Sequence, residues 1–407
     1  MMKKKTDYNV DVAIVGAGPA GTTATYILAK KGCRVLIIDK EKFPRKKCCG
    51  GALTAKTMRL LSEIFNETEN SLTNKRIINF KSNRYEIRYK NKLLLNKKST
   101  YTFSFVDRYV YDDFFMKKAK SVGANVLEGE RVSGINTEQN ELITAQGTYI
   151  KARFIIAADG ANSILRTKLF RENKLDGSRW RKNLAYAVEV FTRQRTDFET
   201  IDYPILSFGY LKYGYAWIFP NRDRLVVGMG GLPVKKENLT DRFKTFLADF
   251  ALPLNDSEKT RGYPLPFGNF LAKPIYKKIL LIGDAAGLVD PMLGEGIYQA
   301  HKSGELAACA IIETINGAAD SDAETGKKNM TGNRRLEQNY LELLNSHLLP
   351  ELFYARRYRR FVYNKLNHIS KFRVVGLLAS RFEKLAELVH GDRSYRRPRI
   401  KKNTYSR

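Results

Sequence analysis

The stretch that decides the fold is VDVAIVGAGPAGTTATYILAKKGCRVLIIDK, at positions 10–40. Its apolar run at 10–15 predicts a buried strand, and residues 22–31, which are followed by Gly32, predict a helix. A second apolar run at 34–39 predicts another buried strand. A strand, a helix and a strand in this order form the βαβ unit of a parallel sheet.

Between the first strand and the helix, Gly16, Gly18 and Gly21 fit the pattern G-x-G-x-x-G. The glycines of this pattern permit a tight turn, a close approach of the backbone to a pyrophosphate, and close packing of helix on strand. Asp39 lies 18 residues after Gly21, where a carboxylate accepts a hydrogen bond from a ribose hydroxyl. The combination predicts a bound adenine dinucleotide. The alternative is an ordinary glycine-rich turn with Asp39 in solvent.

The rest of the chain alternates between helical and β-rich segments. Residues 77–95 and 184–232 resemble strands, residues 109–122 and 297–316 predict helices, and the polar segment 317–333 predicts a loop. We therefore predict an α/β fold, in which a Rossmann-like dinucleotide-binding domain carries an inserted antiparallel β-sheet substrate domain and a helical basic C-terminal region. The predicted boundaries are 7–75, 106–175 and 265–330 for the first domain, 76–105 and 176–264 for the second, and 334–407 for the C-terminal region.

The composition is that of a globular protein with a large excess of positive charge. In 407 residues, 71 Lys and Arg stand against 42 Asp and Glu, which gives a formal net charge of +29. A hydrophobic content of 43% excludes global disorder, and four cysteines are too few for a disulfide scaffold. We recognise neither a membrane span nor a signal-peptide core of the usual length. We therefore expect a cytoplasmic protein with an anionic partner.

The sequence lacks two patterns that would indicate other kinds of catalytic site. A second G-x-G-x-x-G in a βαβ context would indicate a separate nicotinamide domain, and the sequence has none. We therefore expect the bound dinucleotide itself to carry the chemistry. The histidines show no ligand spacing, so we predict neither a metal site nor a histidine-based triad. They are His301, His347, His368 and His390, and we expect a structural role for His301.

Three further motifs resemble those of the geranylgeranyl reductase family. Its members are FAD-dependent enzymes related in fold to p-hydroxybenzoate hydroxylase. Residues 43–53, FPRKKCCGGAL, resemble the P-x-x-K-x-C-G-G segment of that family. Residues 215–220, YAWIFP, match its Y-x-W-x-F-P element. Residues 283–297, GDAAGLVDPMLGEGI, resemble its second flavin-binding signature.

The resemblance implies a bound FAD and the residues that would hold it. Asp284 would meet the ribityl chain, and the backbone near Gly296 and Ile297, at a helix N-terminus, would face the pyrimidine end of the flavin. Arg108 would lie along the FAD path, and its alternative is a surface cation at a helix start. The whole implied cofactor-binding set is Gly16, Gly18, Ala20, Gly21, Asp39, Gly50, Gly51, Arg108, Val132, Asp284, Gly296 and Ile297.

Cys49 aligns with the cysteine of the family and has two interpretations. In the first it lies beside the flavin as a catalytic proton donor, or couples substrate entry to the redox state. In the second, Cys48 and Cys49 only fill space in a glycine-rich loop. Because another residue type usually precedes the family cysteine, Cys48 departs from the pattern, and oxidation between the two thiols is a further possibility. Lys46 and Lys47 would lower a thiol pKa if they pointed inward.

Tyr215, Trp217 and Phe219 alternate along a predicted strand, so all three face the same side of a sheet. We predict that this aromatic face binds substrate as the wall of an apolar tunnel for a prenyl chain. The alternative is the ordinary core face of the sheet.

The leading functional hypothesis is an FAD-dependent reductase that saturates isolated C=C bonds of a geranylgeranyl or other isoprenoid chain with hydride from reduced flavin. The substrate would be a prenyl lipid or prenyl diphosphate, and NAD(P)H or a ferredoxin would supply electrons. The alternatives are an FAD-dependent monooxygenase and a flavin halogenase. Halogenases prefer Trp at the position of Tyr215, which favours the reductase.

The positive charge is concentrated at the C-terminal end of the chain. Residues 351–407 contain 16 Lys and Arg against 4 Asp and Glu. Their net charge of +12 is about 40% of the net charge of the whole chain. Because aromatic and aliphatic residues interleave with the arginines, in ELFYARRYRRFVYNKL and KFRVVGLLASRF, we predict peripheral binding to an anionic membrane. The alternatives are a solvated helical face and a basic protein that binds nucleic acid, which we do not expect.

Overall fold

The computed structural model describes residues 7–192, 200–235, 237–252, 254, 259–324, 330–366 and 386–396. The strands in this part of the chain are β1 (Tyr8–Val15), β2 (Val35–Asp39), β3 (Ala52–Leu53), β4 (Ile78–Tyr89), β5 (Lys92–Val106), β6 (Asn125–Glu128), β7 (Val132–Asn136), β8 (Glu141–Thr144), β9 (Tyr149–Ala157), β10 (Leu184–Thr192), β11 (Ile205–Phe208), β12 (Gly214–Pro220), β13 (Leu225–Gly231), β14 (Arg261–Pro266), β15 (Ile275–Tyr276) and β16 (Ile279–Leu281).

The α-helices of the same described residues account for most of the remaining regular structure. They are α1 (Pro19–Lys30), α2 (Ala55–Phe65), α3 (Glu69–Asn74), α4 (Arg108–Ser121), α5 (Ile164–Arg171), α6 (Leu239–Asp249), α7 (Ile297–Glu324), α8 (Met330–His347) and α9 (Leu349–Leu366).

The first sheet contains the predicted βαβ unit. Its main path is β15-β16-β9-β1-β2-β6, and the β7–β8 hairpin continues it beside β9. Strands β16, β9, β1, β2 and β6 pair in parallel along this path. Their apolar runs are buried because α1 packs on β1 and β2 and α7 packs on α1. The parallel sheet therefore brings the carboxyl ends of β1 and β9 to one edge, where ligands bind in this kind of fold.

The second sheet is the β-rich insertion, with the order β14-β10-β13-β12-β11-β4-β5-β3. Its strands pair antiparallel except β11 and β4, which run parallel. The predicted fold class is confirmed: a Rossmann-like α/β part, an inserted and mostly antiparallel sheet, and a helical C-terminal region.

The predicted loop at 317–333 is wrong wherever the structure describes it. Helix α7 continues through Glu324, and α8 begins at Met330. The segment is polar, but α8 packs against α7, and this tertiary contact favours a helix that the local composition does not predict. The tail segment 371–382, which supported membrane binding, lies outside the described residues.

His301 has the structural role that the sequence predicts. Its ring is fully buried, with Nδ1 2.7 Å from Thr23 Oγ1 and Nε2 2.7 Å from Tyr111 Oη. Burial, followed by the charge of Arg108, lowers the pKa of His301 to about 3. The ring is therefore neutral at physiological pH and joins α1, α4 and α7 through two hydroxyl groups.

Acidification below pH 6.5 should weaken the fold through His301. The unfolded histidine titrates near its ordinary pKa and takes up a proton there, whereas the folded one does not, so stability is lost as the pH falls toward about 3. This one group contributes up to ~1.4 kcal/mol per pH unit. We expect urea unfolding between pH 7 and pH 5 to show a smaller loss of stability for His301→Gln than for the unsubstituted chain. Parallel losses would contradict the assignment.

Candidate functional site

Residues from both sheets line a cavity of about 710 Å³. It brings together fifteen of the sixteen residues that the sequence analysis proposed. Gly21 does not line it and lies beneath the glycine turn instead, where an added Cβ would stand 1.9 Å from the carbonyl oxygen of Gly16. The residues that line the cavity are Gly16, Gly18, Ala20, Asp39, Cys49, Gly50, Gly51, Arg108, Val132, Tyr215, Trp217, Phe219, Asp284, Gly296 and Ile297.

The glycine turn forms a cradle at the edge of the parallel sheet. Gly16 has φ +102°, and a Cβ there would lie 2.3 Å from the carbonyl oxygen of Ala158. Gly18 is the N-cap residue of α1 and makes no side-chain cap, so the N–H groups of the first turn are available to a phosphate. Asp39 is buried, and its Oδ2 accepts a hydrogen bond from Ala17 N at 2.7 Å. The alternative of a solvated strand end therefore does not hold for Asp39.

The second flavin-like motif lies against the start of α7. Gly283–Ala286 forms a 3-10 turn that carries Asp284. A Cβ at Gly296 would lie 3.7 Å from Asp284 Oδ1, so this carboxylate stands next to the residue that precedes α7. The helix N-terminus favours an anionic group at this end of the cavity.

Arg108 is buried in an ion-pair network. Its Nε and Nη2 donate to the two carboxylate oxygens of Asp112 at 2.6 and 2.9 Å, and Arg45 pairs with the same carboxylate at 3.0 Å. Burial by itself would lower the pKa of Arg108, but Asp112, and then the side chain of Cys49, raise it above its usual value. The alternative of a surface cation therefore fails for Arg108. Two arginines share one carboxylate, which leaves a net positive charge beside the cysteine loop.

The cysteine loop lies between this network and the second sheet. Cys48 and Cys49 are both free thiols, and Cys49 N donates a 2.9 Å hydrogen bond to Glu189 Oε1. Burial, and then the charge of Glu189, raises the pKa of Cys48. A Cβ at Gly50 would lie 2.6 Å from the Phe219 ring, so the loop packs directly on the aromatic strand.

The three aromatic side chains of β12 form one wall of the cavity. The ring centroids of Tyr215 and Trp217 are 5.7 Å apart, and those of Trp217 and Phe219 are 6.3 Å apart with nearly parallel planes. The Tyr215 hydroxyl donates to the carbonyl oxygen of Leu293. Other apolar side chains also line the cavity: Tyr85, Phe103, Phe105, Leu206, Leu265, Phe267 and Val389.

These residues fit an adenine dinucleotide with a planar ring system. At Gly16 the turn leaves no room for a side chain, whereas a Cβ at Gly18 would meet only Arg45 Nη2, at 3.7 Å, and Asp39 lines the same cavity. Glu130 also lines the cavity, and its Oε2 is buried without a hydrogen-bond partner among the described residues. In the same described part of the chain, no three His, Cys, Asp or Glu side chains cluster so as to hold a metal ion.

Sequence reasoning missed Glu189, Arg45 and Tyr263. Glu189 lies on β10 with 1% of its surface exposed, and Tyr263 lines the cavity from β14. A signal for Glu189 was present, because it is the one acid in the strand LAYAVEVFT, and a carboxylate at a buried position of a strand needs a partner. The partner itself, Cys49, depends on the tertiary fold.

A model of an FAD binding domain matches residues 9–196. An uncharacterized protein of Methanosarcina barkeri is 34% identical over 317 residues, which cover 77% of each chain. A menaquinone reductase of Mycobacterium tuberculosis is 29% identical over 326 residues, covering 74% of this chain and 76% of that one. A geranylgeranyl diphosphate reductase of Rhodobacter capsulatus is 27% identical over 326 residues and 78% of each chain.

Solved structures resemble the whole architecture. A geranylgeranyl bacteriochlorophyll reductase-like protein of Thermoplasma acidophilum superposes with a TM-score of 0.71 at 19% identity, over 93% of this chain and 96% of that one. A probable FAD-dependent monooxygenase of Pseudomonas aeruginosa gives a TM-score of 0.65 at 18% identity, over 90% of this chain and 99% of that one. At such identities these likenesses establish the fold alone.

Proposed function

This chain belongs to the geranylgeranyl reductase family of FAD-dependent oxidoreductases, and from that premise we propose that it saturates isolated C=C bonds of an isoprenoid chain. The observation that carries the proposal is the continuity of the cavity. Its glycine cradle and its aromatic and aliphatic lining belong to one cavity, so a nucleotide cofactor and an apolar chain would lie side by side in it. The names of relatives support the same class of substrate, since one is a geranylgeranyl diphosphate reductase.

The cofactor is FAD, and the chain offers a separate group of residues to each of its parts. Gly16, Gly18 and the first turn of α1 would hold the pyrophosphate, and Asp39 would accept from the ribose. Asp284 and the N-terminus of α7 would hold the ribityl chain and the pyrimidine edge. When bound and reduced, FAD supplies the hydride that one alkene carbon receives.

The aromatic wall would exclude water and orient the chain. An unconjugated C=C bond is not polarised, so an oxyanion hole has nothing to stabilise, and the reaction depends on holding the alkene in register with its hydride and proton donors. Trp217 and Phe219 present flat apolar surfaces next to the loop that carries Cys49. The alkene would lie against these rings.

Cys49 would hold the proton that the second alkene carbon receives. Asp112 has the largest effect among the groups that raise the pKa of Arg108, and the side chain of Cys49 also raises it. After the thiol of Cys49 gives up its proton, the guanidinium of Arg108 would stabilise the thiolate. The loop would therefore supply the acid, and α4 would supply the compensating charge.

An anaerobic experiment tests the function. The flavin of the purified protein is photoreduced and then mixed with geranylgeranyl diphosphate, an unsaturated prenyl ether lipid or menaquinone, each in a separate cuvette. We expect at least one of them to reoxidise the flavin and to gain two hydrogens per bond by mass spectrometry. No reoxidation by any of them, together with substrate-stimulated NADPH oxidation in air, would indicate a monooxygenase instead. Offering NADPH and a reduced ferredoxin in turn would identify the electron donor.

We also propose that α9 attaches the enzyme to an anionic membrane, where a prenyl lipid resides. Four aromatic side chains of this helix are exposed: Phe353, Tyr354, Tyr358 and Phe361. Arg357 and Arg360 are exposed on the same helix. No helix in the described ranges is long and apolar enough to cross a membrane. An interfacial helix with aromatic and basic residues would bind the lipid surface without spanning it.

Removing the two exposed arginines of α9 should weaken liposome binding. Each basic residue near an anionic surface contributes ~1 kcal/mol to binding. We therefore expect the affinity for phosphatidylserine vesicles, measured by pelleting, to fall about tenfold or more in Arg357→Gln/Arg360→Gln. Lys151→Gln/Arg153→Gln changes the charge equally at exposed positions of β9 and should pellet like the unsubstituted chain. Equal pelleting of all three proteins would contradict the membrane proposal.

A further inference from the structure

Glu189 is a buried carboxylic acid directly behind the cysteine loop. It has 1% of its surface exposed and does not line the cavity. Its Oε1 accepts the hydrogen bond from Cys49 N, whereas Oε2 is buried and has no hydrogen-bond partner among the described residues. A buried oxygen without a partner is costly, so it requires an explanation.

The second sheet brings Trp217 toward the same acid. Gly228 on β13 pairs with Glu189 on one side and with Trp217 on the other. A Cβ at Gly228 would lie 2.3 Å from the Trp217 ring, so the indole lies across β13 in the space that a side chain would fill. The indole Nε1 is also buried without a partner in the described part of the chain. Glu189 therefore stands between an aromatic wall residue and the cysteine loop.

The groups that face Glu189 come from three further elements. Lys47, Cys48 and Cys49 belong to the loop, Arg108 to α4, and Tyr263 to β14. Burial has the largest effect and raises the pKa of Glu189 to about 7, against the opposing effects of the Cys49 N–H, Lys47, Trp217 and Arg108. Burial, followed by the charge of Glu189, raises the pKa of Tyr263, so that phenol stays protonated. Arg261 lowers the pKa of Cys48, against the effect of Glu189 on the same thiol.

We propose that Glu189 is the positioning residue that keeps a proton on Cys49, a role that rests on the proposed function of Cys49. The thiol of Cys49 gives its proton to the alkene carbon, and the S–H bond breaks as the C–H bond forms. The protonated carboxyl group of Glu189 then passes its proton to Sγ, which restores the thiol. Water returns a proton to the carboxylate when product leaves. Because Glu189 lies behind the loop, it acts through Cys49 and does not touch the substrate.

The first test needs neither substrate nor turnover. In a Cys48→Ala background, the rate at which iodoacetamide alkylates Cys49 is followed from pH 6 to pH 9 by mass spectrometry. An ionised Glu189 disfavours a neighbouring thiolate, and Glu189→Gln removes that charge while it keeps an oxygen for Cys49 N. We therefore expect alkylation of Cys49 at pH 8 to become about threefold faster or more. An unchanged profile would overturn the proposal.

The second test measures turnover with the prenyl substrate that reoxidises the flavin. Because an ionised Glu189 has no proton to pass on, kcat of the unsubstituted enzyme should decline above pH 7. For Glu189→Gln we expect kcat at pH 6.5 to fall about tenfold or more and this decline to disappear. Glu189→Asp keeps a titratable carboxyl and should restore the pH dependence. Glu86→Gln is the matched control, because Glu86 is a buried glutamate of the same sheet that pairs with Arg88.

The outcomes of the two tests are separable. If no prenyl substrate reoxidises the flavin of the unsubstituted protein, the proposed function fails, and the alkylation test still reports on Glu189 and Cys49. If the substrate is reduced and Glu189→Gln retains its FAD, its kcat and its pH profile, the role of Glu189 is purely structural and the inference is wrong.

Discussion

Replacing Gly16 with alanine is expected to give a protein that no longer retains FAD. The glycine has φ +102°, and its new Cβ would lie 2.3 Å from the carbonyl oxygen and 2.6 Å from the carbonyl carbon of Ala158. Both atoms are backbone, and the neighbouring strand cannot rotate away as a side chain would. The turn must therefore separate from β9, which disrupts the cradle and costs at least ~4 kcal/mol of stability. Flavin absorbance after gel filtration and urea unfolding measure the two effects.

Gly147→Ala is the matched control for Gly16→Ala. Gly147 also has a positive φ, of +91°, but nothing lies within 4 Å of the added Cβ. It should cost only the ~1–2 kcal/mol of a left-handed backbone and leave the flavin bound. If Gly16→Ala were as stable as Gly147→Ala and retained as much flavin, the close approach of β1 and β9 would not be what shapes the cradle.

Cys49→Ala is expected to lower kcat by about 10²–10⁴-fold while FAD stays bound, because this range is what a positioned proton donor contributes. The substitution shortens the side chain by one atom and leaves the Cys49 N–H free to donate to Glu189. The loop should therefore keep its place on the Phe219 ring. Anaerobic flavin reoxidation by the prenyl substrate, measured in a stopped-flow instrument, reports the step directly.

Cys48→Ala controls for the loss of a thiol from the same loop. Cys48 lines the cavity beside Cys49, and burial raises the pKa of its thiol, so it is a poor nucleophile at neutral pH. We expect its kcat to stay within about threefold of the unsubstituted enzyme. Equal losses in the two variants would mean that the loop acts only through its packing, and Cys49 would lose its role as an acid.

The parts of the site that follow from local spacing were predictable. Gly16, Gly18 and Asp39 come together because a strand, a turn and a helix of fixed geometry separate them. The aromatic residues of β12 face one side because side chains alternate along a strand. In contrast, the loop predicted at 317–333 was wrong at those residues of the segment that the structure describes, since their helical state depends on the packing of α8 against α7.

The sequence by itself therefore determined the βαβ unit, the glycine cradle with its acid, and the aromatic face, because each depends on residues close together in the chain. Only the tertiary structure decided which charged groups meet around the cysteine loop. Arg45 reaches the carboxylate that Arg108 holds, and Glu189 reaches Cys49 across 140 positions of the sequence. Such contacts depend on which strands become neighbours. That choice is made by burying apolar surface over the whole molecule, and local spacing does not encode it.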